Sequence, residues 1–401
     1  MAAPANIDDF IFQLNETKPT NIDKSTLYMC FRERMHDKSV VLVILAISLS
    51  DLLNHTEGEE GKSPCQVAYR ELKRECDVLG CGVCDSQIFF VGGVGGDKMY
   101  YFDPEQPNPK MGTIRRGPQS SKIEPFVLEM NNDQRLYVLS RVPTTGSNFE
   151  VLKNPFIMEW VALPEPPYDR IGPYFCPTTD GSNIFLLGQN PHAYICHYSF
   201  SRNKWKTYSG PRSLPFTVGP PALIIQDQHS HHRILFTYEF SSRGGPDTPL
   251  FIGAYLMSPD DDANPILCLL STLEFRRGVP SEFCGSHYQL VHCADRHIFL
   301  ILYSYSPRIP DHQLSHHTDY MKICVIHLEY EFHPTRNLTN SRFLLSRRGA
   351  PHILKYSYDH GLPKKEHVCM IGAFVLLSIS GDTEETGEDG FAHGDTQETQ
   401  G

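Results

Sequence analysis

Twelve cysteines and nineteen histidines are the side chains here best suited to chemistry, and their spacing decides which kind. Cys81-Gly-Val-Cys84 has the gap of a metal-binding pair, with Cys76 and Cys65 upstream. A structural zinc site takes four such ligands, usually as two spaced pairs. No second pair with that gap exists, so these cysteines read as small apolar residues on strands. His229-Ser-His-His232 and the run His312 to His317 offer further nitrogen ligands. The strand pattern below puts the first run between strands one and two of its unit, and the second between strands two and three. Those connections leave opposite faces, so the runs read as two solvated loops and not one site. Val91-Gly-Gly-Val-Gly-Gly96 leads into a strand, where a phosphate-cradling loop needs a helix. No nucleophile elbow is visible. What remains is recognition. Arg141, Tyr168, Arg170, Tyr174, His192 and Arg243 fall in loops that share one face. Arg and Tyr are the residue types that anchor protein interfaces.

The elements that must position these residues are short strands that recur. Ile88-Phe-Phe-Val-Gly-Gly93 is one of a set with Val40-Val-Leu-Val-Ile-Leu45, Leu136-Tyr-Val-Leu-Ser-Arg141, Ile184-Phe-Leu-Leu-Gly-Gln189, Ile234-Leu-Phe-Thr-Tyr-Glu239 and Ile298-Phe-Leu-Ile-Leu-Tyr303. The intervals between successive starts are 48, 48, 48, 50 and 64. A β-branched and aromatic hexad returning at near-fixed spacing marks a repeat architecture. Two units repeat the same order in detail. Phe149 to Leu152 and Met158 to Leu163 follow the third hexad, and Tyr194 to Phe200 and Trp205 to Tyr208 follow the fourth. The two tryptophans, Trp160 and Trp205, occupy equivalent places.

Four short strands per unit and no long helix predict an all-β chain: a β-propeller of six four-stranded blades, with five or seven as alternatives. A small sheet with two apolar faces cannot bury both alone, so blades must stack around a ring. The first unit lacks a clean inner strand, while Val368 to Leu377 is a spare one. We expect that strand to complete the terminal blade and latch the ring with both chain ends. The expected organisation is an N-terminal extension over 1–24, the propeller over 25–378, and a tail over 379–401. That tail is acidic and Gly/Thr-rich, a composition that predicts disorder.

The net charge of −11 argues against nucleic acid or an acidic membrane surface as a partner, since both require a basic patch. The longest apolar run, Val40 to Ile47, is too short to span a bilayer. Met1 to Asp9 carries no secretory signal, so a reducing compartment, cytoplasmic or nuclear, is expected.

Ile88-Phe-Phe-Val-Gly-Gly93, Tyr100-Tyr-Phe-Asp103 and the pair Phe149-Glu-Val-Leu152 and Trp160-Val-Ala-Leu-Pro164 resemble kelch repeats. The general run is similar to plant kelch-repeat proteins of the F-box/kelch-like group. The likeness covers residues 78–330. It implies a protein–protein interaction module, a non-catalytic scaffold or adaptor that works as a monomer with a protein partner and no cofactor. Two alternatives come with it. One is a metal-dependent propeller enzyme or specifier-type protein: Glu385-x3-Asp389-x3-His393 matches the iron-binding pattern of plant specifier proteins, although it falls in the tail. The other is the substrate-recognition subunit of a ubiquitin ligase, although no F-box-like or BTB-like helical segment precedes the first blade.

Overall fold

The computed structural model describes residues 24–35, 39–54, 65–73, 79–84, 86–92, 98–106, 108–114, 116–130, 135–154, 158–171, 175–188, 194–209, 222–239, 250–257, 266–275, 283, 287–305, 320–335, 341–357 and 365–377. Among these described residues, twenty-four strands form six four-stranded antiparallel sheets, the blades of a propeller. Blade 1 takes β1 (Ser25–Met35), β2 (Val40–Ser48) and β3 (Gln66–Lys73), with helix α1 (Leu49–Asn54) between the last two. Blade 2 is β4 (Leu79–Cys84), β5 (Gln87–Gly92), β6 (Lys98–Phe102) and β7 (Met111–Ile114). Blade 3 is β8 (Phe126–Met130), β9 (Arg135–Leu139), β10 (Phe149–Asn154) and β11 (Glu159–Ala162). After helix α2 (Tyr168–Ile171), blade 4 is β12 (Phe175–Thr179), β13 (Asn183–Gly188), β14 (Tyr194–Ser199) and β15 (Lys204–Ser209). Blade 5 is β16 (Leu223–Gln226), β17 (Arg233–Glu239), β18 (Leu250–Met257) and β19 (Ile266–Phe275). Blade 6 is β20 (His287–Ala294), β21 (His297–Tyr305), β22 (Tyr320–His333) and β23 (Arg342–Ser357).

The last strand, β24 (Lys365–Leu377), pairs with β1 and becomes the inner strand of blade 1. The expected latch is therefore present: one blade is built from both ends of the described chain. The six inner strands β24, β4, β8, β12, β16 and β20 touch neighbour to neighbour and close the ring. Between blades the core divides into separate apolar layers. Blades 6 and 1 share one around Phe31, Phe299 and Ile323. Blades 3 and 4 share another, around Phe149, Phe175 and Tyr198. Each layer buries faces that one sheet could not cover alone, at roughly 25 cal/mol per Å² of apolar surface.

This order corrects one detail of the sequence pattern. The hexads at Ile88, Leu136, Ile184, Ile234 and Ile298 all fall in second strands, but Val40 opens β2, the third strand of its blade. The second strand of blade 1 is β1, so the first interval of 48 residues relates unlike strands. Both kinds of strand are buried on two faces, and that alone makes their sequences look alike. Strand β23 was not anticipated. Its Arg347-Arg-Gly-Ala-Pro351 reads as a turn, yet the strand runs on through it, and Gly349 (φ +69°), Ala350 and Pro351 form a bulge between the pairs His327–Arg348 and Val325–His352.

The tryptophan equivalence holds to the atom. Trp160 lies on β11 and Trp205 on β15, both outer strands. Each indole N–H donates to a backbone carbonyl two residues past the previous blade's outer strand: Trp160 to Arg116 (3.3 Å) and Trp205 to Pro164 (2.8 Å). A buried indole needs such an acceptor. The repeat supplies it at the same place each time.

Candidate functional site

Antiparallel blades put the connections between second and third strands on the same face as the links between blades. On that face three segments meet at blade 3: the link 116–125, the β9–β10 loop 140–148 and the link 163–171. Short strands give this blade little sheet to hold its loops, and polar side chains hold them instead. Lys122 and Glu150 form an ion pair that is fully buried on both sides. The Lys122 ammonium also donates to the carbonyls of Ser120 (3.0 Å) and Ser147 (2.8 Å). The Glu150 carboxylate accepts the backbone N–H groups of Gln119 (2.7 Å) and Ser120 (3.0 Å). Burial lowers the Lys122 pKa from its ordinary value, and the Glu150 carboxylate acts against that shift.

A second set of bonds ties the next link down. Glu165 accepts from the backbone N–H and the side-chain amide of Asn148, both at 2.9 Å. The side-chain Oδ1 of Asn148 in turn accepts the backbone N–H of Thr144 at 2.6 Å. The Ser140 hydroxyl donates to the carbonyl of Val142 (2.7 Å) and accepts the N–H of Ile123 (2.9 Å). Tyr168 donates its hydroxyl to the Ser140 carbonyl, and burial raises the pKa of that phenol. Groups buried in this way must be hydrogen-bonded. The result is a rim whose backbone is held in place by side-chain hydrogen bonds.

Of the residues expected on this face, Arg141 and Tyr168 are brought together here. Tyr168 faces inward and serves the fold. Arg141 reaches outward to Glu124 at 3.2 Å, with 26 % and 52 % of their side chains exposed. Sequence reasoning missed Glu124, which has a left-handed backbone (φ 47°), and Ile123, which is 42 % exposed. An isoleucine directly before a charged residue and a proline carries no signal of its own. Arg170 lies in α2, and only its backbone is described. Tyr174, His192 and Arg243 lie outside the described residues.

The opposite face carries the turns between first and second strands, and there the blades clasp one another by charge. Asp180 of blade 4 accepts from Arg233 of blade 5 at 2.8 Å. Asp227 of blade 5 is completely buried and lies 3.6 Å from Arg296 of blade 6. His229 meets Asp295 of blade 6 at 3.4 Å, and His232 packs edge-on against Phe332. The first histidine run thus serves the blade 5–6 junction. The second, His312 to His317, lies outside the described residues.

Cys81 and Cys84 sit three apart on β4, which puts them on opposite faces of the strand. Cys81 packs towards blade 1 and Cys84 towards blade 3. Their spacing cannot make a chelate. Cys76 and the run Glu385 to His393 lie outside the described residues. Among the described residues, no three His, Cys, Asp or Glu side chains converge to hold a metal ion.

A family model described as "Protein of unknown function (DUF1668)" matches residues 48–219, from the end of β2 through blade 4. No curated protein matches. Among solved structures, one titled "Structure of YjhT" covers 80 % of this chain and 97 % of its own, at 10 % identity and a TM-score of 0.36.

Proposed function

We propose that this chain is a non-catalytic protein-binding propeller of kelch type, a scaffold or adaptor whose partner docks on the link-bearing face at blade 3. The observation that carries the reading is the rim just described. Its loops are immobilised by the buried Lys122–Glu150 pair, while Ile123, Glu124 and Arg141 stand at the surface. A surface fixed in advance loses little conformational entropy on binding. An apolar side chain flanked by an arginine and a carboxylate supplies the mixed contact that anchors protein interfaces.

The test is affinity capture from the source tissue with tagged wild type and with an Ile123→Asp/Arg141→Glu double variant, with metal analysis of both eluates. The expected result is a reproducible protein that the wild type retains and the variant loses, with both chains melting alike. The identity of that protein tells an adaptor from a ubiquitin-ligase subunit. A metal near one equivalent with no retained protein would overturn the reading in favour of a metal-dependent propeller. Equal retention by both chains would move the interface off this face.

A further inference from the structure

The seam that closes the ring brings together cysteines from three distant parts of the chain. Cys30 lies on β1, Cys81 on β4 and Cys369 on β24. In the β1–β24 ladder Cys30 stands opposite Gly372, and Arg32 opposite Cys369. Directly paired residues share a face, as do residues two apart on one strand. Cys30 and Gly372 therefore look out of the same side of blade 1, towards blade 2. Cys81 comes from the other side. Its sulfur sits over Gly372, where an added Cβ would lie 2.5 Å from it. The missing side chain at Gly372 leaves the gap that the Cys81 thiol fills, at the ladder position paired with Cys30. Both belong to one buried cluster, and both are free thiols in the structure.

We propose that Cys30 and Cys81 are a disulfide-forming pair, whose oxidation clasps β24 in its slot between β1 and β4. The bond would pass over Gly372 and join the two strands that flank the closing strand. The chemistry needs a small disulfide such as oxidised glutathione. One cysteine thiolate attacks it and releases a first small thiol. The second thiolate then displaces the other, forming the Cys30–Cys81 bond. Two protein thiols lose two protons and two electrons, and one small disulfide becomes two small thiols. Burial pushes the Cys81 thiol well above its ordinary pKa, so the reactive thiolate is scarce while the seam is shut. Oxidation then follows opening of the seam, and mild denaturant accelerates it.

The experiment incubates the full chain with oxidised glutathione, blocks remaining thiols and maps linked peptides by mass spectrometry. The expected product is a Cys30–Cys81 bond that dithiothreitol removes, in a protein that melts about 5 °C higher than the reduced form. Cys30→Ser loses the shift and Cys369→Ser keeps it. Peptide mapping of the wild type decides the matter even if Cys30→Ser does not fold. A bond from Cys81 to Cys369, glutathione adducts without an intramolecular bond, or a Cys30–Cys81 bond that leaves melting unchanged would each overturn the proposal.

Discussion

The strands of blade 3 are four to six residues long, and those of blade 6 run from eight to sixteen. The two blades share a topology and differ in what stabilises them. In blade 3 the loops are bound by the Lys122–Glu150 pair, by Asn148 with Glu165, and by Tyr168 with Ser140. In blade 6 the titratable groups sit on the sheet itself. His297 bonds His327 at 3.0 Å, and Arg348 pairs with Glu329 on the neighbouring strand. A short-stranded blade buries less apolar surface, so its loops must contribute through polar contacts. A long-stranded blade carries its stability in the ladder and can place histidines there. Blade 3 should therefore fail when one polar side chain is removed, and blade 6 when the solution is acidified.

The largest expected effect is at Glu150. Glu150→Ala strands the buried Lys122 ammonium and two backbone N–H groups. Removing one partner of such a pair costs about 3–5 kcal/mol. A urea midpoint shift equivalent to less than about 1 kcal/mol would show that loop pinning is not what holds blade 3.

Acid should act on blade 6. Desolvation and the neighbouring His297, Arg348 and His352 push His327 down to about 4, against the pull of Glu329. A histidine depressed in the folded state takes up its proton more readily when unfolded. Its contribution is intact above pH about 6.5 and is lost as pH falls towards 4. Across that window stability should drop by about 3 kcal/mol more in wild type than in His327→Leu. Parallel curves of unfolding midpoint against pH would contradict this. Glu329, depressed chiefly by Arg348 against its own burial, adds a separate loss that begins only below its ordinary range.

Two glycines sharpen the contrast further. An added Cβ at Gly80 on β4 would run into the Pro125 carbonyl of the next blade, where the inner strands press together. Gly80→Ala should cost about 2–3 kcal/mol, because backbone has to move. Gly349, at φ +69° in the β23 bulge, has nothing within 4 Å of an added Cβ. Gly349→Ala should cost only about 1 kcal/mol, from the left-handed backbone alone. Equal melting shifts for the two variants would remove the distinction between a packed seam and an open bulge.

Much of this architecture was legible in the residues. Five hexads marked five second strands, because a strand buried on both faces leaves an unbroken apolar run. Val368 to Leu377 announced itself as a closing strand for the same reason. Trp160 and Trp205 matched because each needs an acceptor at one place in the repeat. Legibility failed where a strand is exposed, as in β23, whose arginines, glycine and proline imitate a turn. It failed more completely at the rim. Lys122 and Glu150 are 28 residues apart, in segments that no local pattern relates. Tyr168 carried a signal as an interface residue, but its hydroxyl serves the Ser140 carbonyl, which only the fold brings within reach. Cys30 and Cys81 meet across a glycine that the sequence alone cannot place opposite them.

The central claim, that the link-bearing face at blade 3 is where a partner binds, is tested most directly by amide hydrogen exchange on the captured complex against the free chain. The account predicts that added protection concentrates in residues 119–124 and 140–148. It predicts no change in the turns around Asp180, Asp227 and Asp295 on the opposite face. Protection confined to those turns, with the blade 3 rim unchanged, would contradict it.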